Sequence, residues 1–269
     1  MSLCAQYNAW AVTPCNIIFD FGKVLGEQQI SSVLSKIGIG NIFANIFSNP
    51  MRIEENFMDF LRTIEQYKHG QVVATNEDKI LPKIICDWLQ GLKTPEQTRT
   101  IVLAKIKEVR SSIGKRKAKL WTSIANFMFT PEHLASVTIP KESVIKILKK
   151  CYRQKNYAGQ RMHKIFLLTN FDVKTFEIIK NDKNFKLLFE CFDGIIVSGK
   201  VYLIKPDSQI FELAFKEFDI NPDSEFTLYI DDEYANIEAA MRLGKKQLRC
   251  IHFIGSKELK KILKHLDVF

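Results

Sequence analysis

Five short apolar runs constrain this chain more than any other feature. They are Asn16 to Phe19, Ile165 to Leu168, Gly194 to Val197, Phe226 to Ile230 and Cys250 to Ile254. Each is continuous, without the alternation that marks a strand with one wet face. Runs of this kind suit the strands of a parallel sheet, which helices cover on both faces. Helical spacing separates the later runs. Lys141 to Tyr152 carries Val144, Ile145, Ile147 and Leu148 at that spacing, and Ser208 to Phe218 does the same with Ile210, Phe211, Leu213 and Ala214. Tyr234 to Leu243 stops at Gly244, and Ser256 to Leu266 follows the last run. Strand alternating with helix predicts an α/β fold built on a Rossmann-like parallel sheet.

The first run breaks this rhythm. Residues 26–140 separate it from the next core helix and show no clear buried strand. They read as helices over Ile53 to Tyr67, Asp78 to Leu89, Pro95 to Val109 and Leu120 to Phe129. The expected organisation is a core of residues 14–25 and 141–269, with residues 26–140 as an inserted α-helical cap domain. At 269 residues and 46% hydrophobic, the chain can bury a core and a smaller unit. Trp88, Trp121, Phe127 and Phe129 are expected inside the insert or at its contact with the sheet.

The net charge is +9, with basic clusters at Lys115-Arg116-Lys117 and Lys149-Lys150. Such a field attracts phosphate, nucleic acid or an anionic surface. No nucleic-acid module accompanies it, so nucleic acid is not an expected partner and solvated helix faces are the simpler reading. None of the six cysteines forms a C-x-x-C pair, which removes the common zinc and redox patterns. Small buried thiols suit a reducing cytoplasm. Residues 1–13 lack a basic start followed by a long apolar stretch, so no secretory signal is expected there. No apolar run is long enough to span a membrane.

In open α/β sheets, chemistry gathers at the carboxyl ends of the strands. Asp20 ends the first run, Thr169-Asn170 the second and Asp231-Asp232 the fourth, while Lys205-Pro206-Asp207 starts the helix after the third. Singly, each is an ordinary cap or turn. Together, on successive strand ends, they describe a phosphoryl-transfer site. A carboxylate can attack phosphorus and divide one hard step into two easier ones. Carboxylates from two strand ends can hold Mg²⁺, a hard cation that also binds phosphate oxygens. A lysine and a hydroxyl can stabilise the charge spread over the equatorial oxygens.

This order of residues resembles the haloacid-dehalogenase-like (HAD) hydrolase superfamily. The resemblance is carried by Ile17-Ile18-Phe19-Asp20-Phe21-Gly22-Lys23-Val24-Leu25, by Leu167-Leu168-Thr169-Asn170, by Ser198 through Asp207, and by Tyr229-Ile230-Asp231-Asp232 running on to Gly244. It covers about residues 14–25 and 141–255, and matches the insert only in position and helical character. The resemblance implies an Mg²⁺-dependent phosphatase acting on a small phosphorylated substrate. Asp20 would be the nucleophile. Thr169 would hydrogen-bond the phosphoryl group with Asn170 beside it, and Lys205 would stabilise negative charge. Asp20, Asp232, Asp231 and the carbonyl of Gly22 would hold the metal.

Three positions depart from the family pattern. Gly22 stands where most of these phosphatases have a second aspartate that acts as general acid and base, help worth roughly 10²–10⁴-fold. Sugar-phosphate-type members resemble this chain in having glycine there. Lys23 and Tyr202 each stand where the pattern favours a small residue. Dehalogenases of the superfamily usually carry an aromatic residue at the Gly22 position and need no metal, so the Asp231-Asp232 pair favours phosphate chemistry. A non-catalytic binding protein with a basic insert is the alternative of a different class. Asp20-Phe21-Gly22 also spells a kinase motif, but the chain before it is too short for the elements a kinase needs. Gly114-Lys115 lacks the glycine spacing of a phosphate loop, and no H-E-x-x-H is present.

Overall fold

The computed structural model describes residues 12–38, 50–67 and 80–269. Strands β1 (Cys15–Phe19), β4 (His163–Thr169), β5 (Gly194–Val197), β6 (Thr227–Asp231) and β7 (Leu248–His252) form one sheet in the order β5-β4-β1-β6-β7. Every pairing in it is parallel. The chain runs outward from β1 through β4 to β5, then returns to the other side of β1 for β6 and β7. This reversal opens a crevice at the carboxyl ends beside β1, the usual place for a ligand in such sheets.

Continuous apolar runs are required because both faces are covered. On one face Ile17, Phe19, Ile165, Leu167, Leu228 and Ile230 pack under helices Glu142–Arg153, Val173–Asn181 and Ser256–His265. On the other, Ile18, Phe166, Leu168 and Tyr229 pack under Ser208–Glu217 and Tyr234–Arg242. Burying each such side chain contributes roughly 1.5–3 kcal/mol. The last strand begins two residues earlier than its apolar run, at Leu248, where Thr227 of β6 offers a pairing partner. It is an edge strand, so Arg249 and His252 turn to water and dilute the sequence signal.

Two short strands, β2 (Gly26–Gln28) and β3 (Thr138–Pro140), pair antiparallel at the two ends of the insert. Sequence reading misses them because three residues carry no periodicity. The ladder is extended by Gln29 N to Val137 O and Lys141 N to Leu25 O, both 2.8 Å, so the chain leaves and re-enters the sheet region side by side.

Between them, helices Ile30–Ile37, Pro50–Arg62, Lys83–Leu89, Pro95–Glu108, Lys115–Met128 and Pro131–Val137 share a separate apolar cluster. Phe60 stacks on Trp121 at 4.4 Å, and Trp88 meets Phe129 edge-on at 5.1 Å. Trp88, Trp121, Phe127 and Phe129 are all buried in it. The expected start at Asp78 lies outside the described residues, and the helix there runs Lys83–Leu89. Another begins at Lys115, five residues before the expected Leu120, because its basic first turn has no apolar stripe to read.

The insert touches the sheet region at specific points. Ser198 is fully buried; its hydroxyl donates to Leu89 O at 2.6 Å and accepts from Phe171 N at 2.9 Å. Gly91 adopts φ +74°, and a Cβ there would lie 2.3 Å from Gly199 O. Among the described residues, no helix is long and apolar enough to cross a membrane.

Candidate active site

Asp20, Thr169 and Asp231 end three adjacent strands, so the parallel register alone brings them to one edge of the sheet. The turn after Asp20 is wound tightly. Val24 N donates to Gly22 O at 2.6 Å, and the amides of Leu25 and Gly26 both donate to Phe21 O. Phe21 anchors this turn from below. It is buried against Phe171, Phe176, Phe185 and Phe189, and a Cβ on Gly26 would lie 2.7 Å from its ring.

Lys205 arrives from the segment before helix Ser208–Glu217, whose N-cap is Asp207. It is 2% exposed, and its ammonium donates to Asp20 Oδ1 at 2.7 Å, Asp231 Oδ2 at 2.7 Å and Leu168 O at 2.9 Å. Those bonds use all three of its donors. Its backbone is fixed by Asn170, whose Nδ2 donates to Lys205 O at 3.0 Å and whose Oδ1 accepts from Lys205 N at 2.9 Å. Asn170 therefore faces the lysine's main chain with both polar atoms.

The two aspartates after β6 differ sharply. Asp231 is fully buried and accepts from Lys205, the Tyr229 hydroxyl, Glu233 N and Asn236 Nδ2. Its oxygens are saturated. Asp232 is partly open, with the Lys23 ammonium 3.7 Å from its Oδ2. Among the described residues, oxygens of Asp20, Asp231 and Asp232 lie within 4.8 Å of one another. Thr169 Oγ1 is buried and has no hydrogen-bond partner among the described residues. A buried hydroxyl without a partner is uncommon, and a ligand oxygen would satisfy it.

Burial raises Asp20 to about 7. Lys205 pulls against that shift, and the nearby charges of Asp231 and Asp232 add to it. Burial likewise raises Asp232 to about 6, with Asp231 adding and Lys23 opposing. Desolvation disfavours the Lys205 ammonium, but Asp20 and Asp231 outweigh it and hold its pKa above the ordinary lysine value. The cluster thus carries more negative charge than Lys205 neutralises. Its donors are hard oxygens, the set that suits Mg²⁺ rather than a soft metal. Gly22 O keeps a lone pair beyond the bond from Val24 N. Among the described residues a Cβ on Gly22 would meet only Asp20 Oδ2, at 3.6 Å, so their packing leaves room for a side chain there.

Both other departures from the family pattern adopt a left-handed backbone, Lys23 at φ +54° and Tyr202 at φ +58°. This conformation favours glycine, which accounts for the small residues usual at those places. Tyr229, Asn236 and Ser198 lie in the motifs quoted from the sequence, but no role is assigned to them there. Tyr229 could have been found by the strand period of two that places it on the face of Asp231. Asn236, in the first turn of the following helix, has a weaker signal. A cavity of about 460 Å³ lies within the insert, lined by Phe57, Trp88, Phe127 and Leu134 among others, and includes none of the strand-end residues.

The fold is that of the haloacid-dehalogenase-like hydrolases. A HAD-family enzyme of Bacteroides thetaiotaomicron matches 89% of this chain and 93% of its own, with TM-score 0.54 and 18% identity. That enzyme has also been crystallised with magnesium and inorganic phosphate. A predicted HAD-like family hydrolase from Porphyromonas gingivalis matches over 94% and 99%, with TM-score 0.52 and 19% identity. A dehalogenase matches over 93% and 97%, with TM-score 0.52 and 13% identity. No protein-family model and no curated protein matches the chain.

Proposed function

We propose that this protein is an Mg²⁺-dependent phosphomonoester hydrolase that works through a phosphoryl group carried on Asp20. The observation that carries the reading is the cluster of Asp20, Asp231 and Asp232, with oxygens within 4.8 Å of one another around the buried Lys205. Magnesium in the Bacteroides enzyme supports the choice of metal. Asp20, Asp232 and Gly22 O would hold Mg²⁺ directly, with saturated Asp231 supplying charge from behind; the bound ion would offset the repulsion between carboxylate and phosphate.

The chain's own residues do the rest. Lys205 fixes Asp20 Oδ1, leaving Oδ2 for attack. The Asp20–phosphorus bond forms as the bond to the leaving oxygen breaks, and that oxygen takes a proton from solvent. Water then attacks phosphorus, releasing inorganic phosphate and restoring the Asp20 carboxylate. The hydroxyl of Thr169 donates to a phosphoryl oxygen, and Lys205 stabilises the charge that develops. Asn170 is a positioning residue that holds Lys205 in place.

Residues 26–140 act as a cap domain over the core of residues 14–25 and 141–269, and select a small phosphorylated metabolite. Sugar phosphates are the first class to try. The free thiols of Cys15, Cys86, Cys151, Cys191 and Cys250 suit the cytoplasm. The test is phosphate release from an aryl phosphate and a panel of sugar phosphates, with Mg²⁺ or with EDTA. Turnover should require Mg²⁺ and vanish in Asp20→Asn. A folded, Mg²⁺-loaded native protein that turns over none of them would favour a binding protein on this fold.

A further inference from the structure

Two lysines face the acidic cluster, and they are held in opposite ways. Lys205 is buried and bonded through every donor. Lys23 lies on the open side, its side chain 75% exposed, with its ammonium 3.7 Å from Asp232 Oδ2 and 4.0 Å from Glu233 Oε1. Both separations exceed hydrogen-bond length. Among the described residues no hydrogen bond is donated by this ammonium, so charge attraction alone places it beside the carboxylates. Its three donors remain available to an anion.

The backbone makes this placement costly. Lys23 sits at φ +54°, a left-handed conformation that a residue with a Cβ adopts at a cost glycine would not bear. The conformation is clamped from outside: Lys141 Nζ donates to Lys23 O at 2.8 Å while pairing with Glu27 at 3.4 Å. Strained positions of this kind collect at sites that bind ligands.

We propose that Lys23 is a specificity-determining residue that binds a second anionic group of the substrate, so that the preferred substrates are phosphate monoesters whose leaving group bears a carboxylate or another phosphate. This rests on the phosphatase reading. A leaving group without charge would gain nothing from Lys23.

The test is calorimetric titration of the full chain with Mg²⁺ and two probes. Methylphosphonate has only its phosphonate; phosphonoacetate adds a carboxylate. Phosphonoacetate should bind about tenfold tighter to the native protein and to Lys23→Arg, and lose that advantage in high salt. In Lys23→Met the advantage should fall below about twofold, with methylphosphonate affinity unchanged. Equal binding of the two probes by the native protein, or an advantage that survives Lys23→Met, would overturn the inference while leaving the phosphatase reading in place. Failure of every form to bind either probe, together with no phosphate release, would overturn both.

Discussion

Thr169 buries a hydroxyl with no hydrogen-bond partner among the described residues, at the end of a strand beside Asp20. Folding gains nothing from that oxygen. Thr169→Val should therefore leave the ligand-free protein as stable as before, or more stable by up to about 1 kcal/mol, in urea denaturation. The same variant should weaken inorganic phosphate binding at least about fivefold, because the donor proposed to meet the anion is gone. A merely structural threonine would show the reverse pattern. Asp20, Thr169 and the Asp231-Asp232 pair are legible in the sequence as the ends of apolar runs, and Lys205 as the start of the helix after the third run. What they do to one another is not. Saturation of Asp231 depends on Tyr229 and Asn236, and Asn170 turns to the Lys205 backbone across the sheet edge. The Asn170 contact is set by the packing of distant segments, whereas Tyr229 and Asn236 lie two and five residues from Asp231 and need the folded turn to aim them at it.

The turn that carries Asp20 and Gly22 owes its shape to Phe21, which lies beneath it among four other phenylalanines. Phe21→Ala should destabilise the protein by about 3–5 kcal/mol in chemical denaturation. Buried strands and their helices were readable from apolar continuity and helical spacing, to within a residue or two at most ends. Helices Ile30–Ile37 and Pro131–Val137 escaped, and the helix expected over Ile53 to Tyr67 runs Pro50–Arg62; three further misses have plain physical causes. The β2–β3 ribbon is too short for a pattern. The helix from Lys115 opens on lysines and arginine, which hide its start. Val173–Asn181 has a clear N-cap in Asp172, accepting from Thr175 N at 2.9 Å, but only a narrow apolar face to announce it.

The folded protein gathers carboxylates that burial alone would keep protonated, and this couples its stability to pH and metal. Asp20 rises from 3.8 to about 7 and Asp232 from 3.8 to about 6, so the metal-free fold binds more protons than the unfolded chain between those values. Stability from these groups is therefore present below about pH 4 and lost as the pH rises through about 7. Protons and Mg²⁺ compete for the same oxygens. The rise in melting temperature on adding Mg²⁺ should accordingly be large near pH 8 and small near about pH 5, as read by thermal unfolding. An increment independent of pH would place the ion elsewhere. The insert's docking through Ser198, Gly91 and Phe171 had no sequence signal, since it joins residues far apart in the chain. In the proposed mechanism Asp20 is the group that receives phosphorus. The decisive measurement is mass spectrometry of the protein quenched in acid during turnover of a phosphate monoester with Mg²⁺. A phosphoryl group should appear on the peptide containing Asp20, and be absent with EDTA and in Asp20→Asn. Turnover that proceeds with no phosphoryl group on that peptide, or with one carried by another residue, would contradict the account.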